Sequence, residues 1–239
     1  SESATTSGSL SMTTGTSLSG TSGSITISTG MSNGLSGSIS LVVGESMSGD
    51  GANALINAGN SASSRGVGGK VSLLGGSGAT GGDIQIISGD GKSLSGGNVD
   101  ISGGLSQIGQ GGSVMVGSGS SQEGHGGFIK VSSPDSSVGG EVLISTGVSS
   151  SLEGGAITLA TGSTTRSSGS TGHISINTGS LESGRTGDIS ISTGESSSTS
   201  GAISIQAGSS REVSGFVRLI GGDAQTGGFV QIEGGSGSL

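Results

Sequence analysis

Gly187-Asp188-Ile189-Ser190-Ile191-Ser192-Thr193-Gly194 is a glycine, a short alternating segment and a second glycine. Ile189 and Ile191 lie two apart, so on an extended backbone they point to one side, while Asp188, Ser190 and Ser192 point to the other. Variants of this stretch recur from Leu10 to Val230 and carry nearly all of the pattern in the chain.

Aligned on the first aliphatic, the repeats begin at Leu10, Ile25, Ile39, Ala54, Val71, Ile84, Val99, Val114, Ile129, Val142, Ile157, Ile174, Ile189, Ile203, Val217 and Val230. The mean period is about 14.7 residues, with individual spacings of 13 to 17. The residue two before the first aliphatic is Gly in fifteen of sixteen repeats, the exception being Ala52. The residue five after it is Gly in fifteen of sixteen, the exception being Pro134. Glycines such as Gly30, Gly44, Gly89, Gly147, Gly162, Gly179, Gly187 and Gly194 therefore mark corners, where a positive φ would carry no steric cost.

The second aliphatic column, from Met12 to Ile232, is unbroken, and small residues such as Thr14, Ala58, Ser88 and Thr193 follow two positions later. The predicted core ladder includes Ile25, Ile27, Ile39, Leu41, Ile84, Ile86, Val142, Ile144, Ile157, Leu159, Ile174, Ile176, Ile189, Ile191, Ile203 and Ile205. A period of two, β-branched residues and frequent glycine exclude helices. Short, evenly spaced segments of one type predict an all-β fold, a parallel β-solenoid (β-helix) of sixteen repeats of about 15 residues. Leu and Met in the second column fall only in odd-numbered repeats. That alternation favours two strands per coil of about 30 residues, with two aliphatic faces packed across about 10 Å. The expectation is one domain over residues 1–239.

Composition limits the alternatives. The 239 residues include 55 Gly, one Pro and no Cys, Trp or Tyr, and only 28% are hydrophobic. A thick core is not available, whereas a thin one repeated many times is. With 8 Lys+Arg against 16 Asp+Glu, the net charge is −8. The cationic surface and aromatic platforms of a nucleic-acid binder are missing. The apolar runs are too short for a membrane span. The first strand starts ten residues in, and neither end shows a capping segment. Exposed strand edges at both ends predict part of a longer array or a stacked filament.

Site chemistry is sparse. His125 and His173 lack a Cys or second His at metal-ligand spacing, and no Ser stands in a nucleophile elbow. Asp83, Glu141 and Asp188 sit at segment starts without the nine-residue rhythm of a calcium-binding β-roll. The expectation is therefore no enzyme, no metal and no cofactor. Phe128, Phe216 and Phe229 each precede a segment at outward parity, where they would cover a sheet margin or form a contact between protomers.

The motifs SGSITISTG, TGHISINTG and TGDISISTG resemble the Gly/Ser/Thr-rich parallel β-solenoid repeats of secreted microbial and algal surface proteins. That resemblance implies an extracellular or cell-surface location and a role in stalks, fibres or adhesins. The predicted function is a structural subunit that self-associates end to end or laterally into filaments, with Ser and Thr available to O-glycans. The alternative is a binding protein with a flat face toward ice or a polysaccharide. Ser11, Ser40, Ser72, Thr158 and Ser190 would form its rank, which Asp100, Lys130 and Arg218 interrupt.

Overall fold

The structure is a computed structural model and describes residues 7–150, 153–165 and 169–237. The chain divides into two units, Ser1–Gly117 and Ser118–Leu239. In each unit aliphatic segments alternate with polar bends. Fifteen stretches link the sixteen aliphatic pairs, and fourteen of them contain a bend, from 18–20 to 224–226. The remaining stretch holds residues 166–168, outside the described residues.

Local bonds close the corners. The N–H of the glycine that opens one repeat donates to the carbonyl of the glycine that ended the repeat before. Gly69 donates to Gly59, Gly82 to Gly76, Gly97 to Gly89 and Gly112 to Gly104 in the first unit, at 2.8–2.9 Å. In the second unit Gly127 donates to Gly119, Gly215 to Gly208 and Gly228 to Gly222, at 2.8–3.3 Å. Serines organise the bends between. The hydroxyls of Ser17, Ser46, Ser106 and Ser121 accept the N–H of Gly20, Gly49, Gly109 and Gly124, each three residues on. Such side-chain-to-backbone bonds replace a turn hydrogen bond and explain serine's place in the bends.

The parallel β-solenoid expected from the repeats is not formed. Among the described residues there is no helix and no strand, and no sheet links one segment to a segment a coil away. The predicted two-strand coil of about 30 residues is absent with it. The physical reason lies in the closure pattern: backbone bonds join glycines six to ten residues apart and leave the aliphatic segments unpaired.

The predicted ladder is correspondingly not a core. No residue among those described is buried. The accessible surface is 24525 Å² for a mass of 22.3 kDa. A compact chain of this mass exposes about 9,400 Å², and a fully extended one about 32,000 Å². The lone chain thus hides about a quarter of its extended surface, where a folded domain hides about 70%.

Candidate self-association surface

The corner geometry sets the aliphatic segments. The residue four after the first aliphatic faces the glycine that opens the next repeat. Across from Gly23, Gly37, Gly172 and Gly201 stand Thr14, Thr29, Thr161 and Thr193, whose methyls lie 3.4–3.6 Å from where a Cβ on the glycine would project. This column also holds most of the best-covered residues. Ala58, Ser88, Ser133, Ala207 and Gly221 belong to it and are half-buried; Ser106, just before a bend, is the other such residue among those described.

Three corners are tighter. A Cβ on Gly75, Gly103 or Gly221 would lie 2.2–2.3 Å from the carbonyl oxygen of Gly82, Gly112 or Gly228. Glycine is needed there because one backbone passes directly against another. The corner glycines expected from the sequence behave differently. Gly30, Gly44, Gly89, Gly147, Gly162, Gly179 and Gly194 have open space where a Cβ would be, and Gly187 has only the Thr178 methyl at 3.8 Å. The positive φ expected at these corners is also absent. Among the described residues only Gly184 takes one, at 123°.

In each unit the aliphatics that these corners present are exposed. The first-column Ile and Val residues from Ile25 to Val230 run from 48% exposed at Val230 to 55% at Ile174 and Ile189, with Leu10 higher at 89%. The second column is more open, from 60% at Met12 to 87% at Leu41. Thus Ile25, Ile39, Ile84, Val142, Ile157, Ile174, Ile189 and Ile203 are half-covered, while Ile27, Leu41, Ile86, Ile144, Leu159, Ile176, Ile191 and Ile205 are largely exposed. In the first unit Leu41, Val42, Val43, Ala54, Leu55 and Ile56 line an apolar recess of about 330 Å³. All six lining side chains are apolar.

Phe128, Phe216 and Phe229 are 80–87% exposed. His125 and His173 are exposed as well. Asp188 is bonded to Arg185 at 2.9 Å, an ion pair on the surface. Among the described residues no group of His, Cys, Asp and Glu is placed to hold a metal ion. No helix there is long and apolar enough to cross a membrane.

Reading the sequence missed two features. One is the Ser-x-x-Gly bend, whose signal was present at Ser17, Ser46, Ser106 and Ser121. The other is the division of the small-residue column into corner-closing and corner-propping members. Comparison with family models, with curated proteins and with solved structures finds no match for the chain.

Proposed function

We propose that the protein is an extracellular structural subunit that assembles with copies of itself into filaments. The observation that supports this reading is the repeated aliphatic surface. Residues with every signature of burial stand about half or more exposed in the single chain, repeat after repeat. Exposed apolar surface on this scale is a site of association. The total surface, polar and apolar together, exceeds that of a compact chain by about 15,000 Å², and a stable protein interface uses only about 1,200–2,000 Å². A partner that covers such a surface has to share its period, and another copy does so by construction. The exposed Ser and Thr keep the remaining surface hydrated and offer acceptors for O-glycans.

Sedimentation and negative-stain electron microscopy of the full chain test this reading. The expected result is a concentration-dependent transition from monomer to long uniform filaments. A chain that stays monomeric at every concentration and salt would overturn it. The formal charge of −8 opposes assembly. Raising ionic strength from about 0.01 M to 0.15 M, which shortens the screening length from about 30 Å to 8 Å, is therefore expected to lower the critical concentration.

A further inference from the structure

We propose that the copies stack parallel and in register, each aliphatic segment pairing its backbone with the same segment of the copies on either side. The inference rests on the filament reading and adds the register and direction of the contact.

The backbone supplies the first argument. The bonds Gly82 to Gly76, Gly97 to Gly89 and their equivalents occupy corners only. No backbone–backbone bond reaches Ile189, Ser190 or Ile191. Such a segment has two open edges, each with N–H and C=O groups free to pair with a chain of matching length.

The side chains supply the second. The Ile and Val residues of the first column, from Ile25 to Val230, keep nearly the same exposure, 48–55%, in both units. A side chain flanked by its own chain, but open on the two sides where neighbouring copies would lie, loses about half its surface in this uniform way. A copy on each side covers what is left and places identical aliphatics in continuous ladders about 4.8 Å apart.

Spacing supplies the register. Ala54 to Val71 spans 17 residues, and Val71 to Ile84 spans 13. A copy slipped by one repeat sets the longer interval against the shorter and misplaces the corners. A reversed copy meets the same mismatch, because the spacings are not symmetric end to end. The corners reinforce this choice. The Pro134 corner and, among the described residues, the positive φ of Gly184 each match only their own equivalent.

Carbonyl-13C labelling of phenylalanine gives three probes, Phe128, Phe216 and Phe229, well separated along the sequence. Dipolar recoupling on filaments of the full chain, diluted in parallel with unlabelled protein, reads distances between copies. In-register stacking is expected to place equivalent carbonyls about 4.8 Å apart at all three sites, with the coupling lost on dilution. Mass per length is expected to be one chain of 22.3 kDa per 4.8 Å, about 46 kDa per nm, or a whole multiple of it. Filaments whose labels sit on the order of 10 Å apart, the spacing between sheet faces, would overturn the stack and leave the filament. An absence of filaments would overturn both.

Discussion

Two stretches of the chain turn their corners in different ways. From Ala58 to Gly127 every corner closes by a glycine N–H on a glycine carbonyl: Gly69 on Gly59, Gly82 on Gly76, Gly97 on Gly89, Gly112 on Gly104 and Gly127 on Gly119. From Ser133 to Gly201 no such bond forms among the described residues. There Ser133 and Thr146 reach the carbonyls of Gly140 and Gly155 with their hydroxyls instead. The difference follows one residue. Where the inward small residue is Ala58, Gly75, Ser88, Gly103 or Ser118, the backbones meet. Where it is Thr146, Thr161, Thr178 or Thr193, a branched side chain stands between them. Ala207 and Gly221, at closed corners further on, follow the first rule, and Thr14 and Thr29 follow the second. Corner closure therefore follows side-chain volume at this position where both corner residues are glycine; at the Ser133 corner Pro134 stands in place of the accepting glycine and no such bond forms.

A charge placed in an aliphatic segment should have the largest effect. Ile189→Asp removes an aliphatic worth about 1.5–3 kcal/mol on full burial. In a stack it also sets like charges one above another. The expected outcome is a critical concentration raised at least about thirty-fold, with the dilute monomer's spectrum unchanged.

A paired substitution separates the two glycines of one tight corner. Gly103→Ala puts a methyl 2.2 Å from the Gly112 carbonyl oxygen, so the corner has to open. Gly104→Ala enters open space. Losing the corner bond and shifting the backbone is expected to cost about 1–3 kcal/mol in the first variant, and little in the second. Denaturant titration of assembled material checks both. Equal effects would mean that close approach is not what glycine supplies.

The reverse change should convert one corner type to the other. Thr178→Gly removes the methyl that faces Gly187. A Gly187-to-Gly179 bond is then expected, which slows exchange of the Gly187 amide by about five- to ten-fold, equivalent to about 1 kcal/mol. Comparable in size is Gly184→Ala, expected to cost about 1 kcal/mol for an alanine held at positive φ. In the bend of the same length at Gly15–Gly23, Ser17 occupies the place of Leu181 and its hydroxyl holds Gly20. Arg185→Ala should matter least. Its ion pair with Asp188 is exposed, and loss of such a pair changes stability by roughly 0.5 kcal/mol.

These corners also show how much could be read in advance. The bends, the aliphatic columns and the lack of helix are written in the spacing of Gly, Ile and Val, because a two-residue period and breaker residues act locally. The location of the pairing partner is not local. Ile189 and Ile191 announce that a face will be covered, but the same pattern serves a strand of this chain or of another copy. The solenoid expectation assumed the first. Likewise, Thr193 and Ala207 both pass as small residues in an alignment, and only the opposed backbone shows that one props a corner open and the other lets it close.

The central claim is that the aliphatic segments lack backbone partners within one chain and gain them from others. Residue-resolved amide exchange, on dilute monomer and on assembled protein, addresses it directly. Ser190 and Ile191 are expected to exchange freely in the monomer and slowly in the assembly, while Gly82 and Gly112, bonded within the chain, are expected to show protection in both. Strong protection of Ser190 and Ile191 at a dilution where only monomer exists would contradict the claim, because it would place their partners inside the same chain.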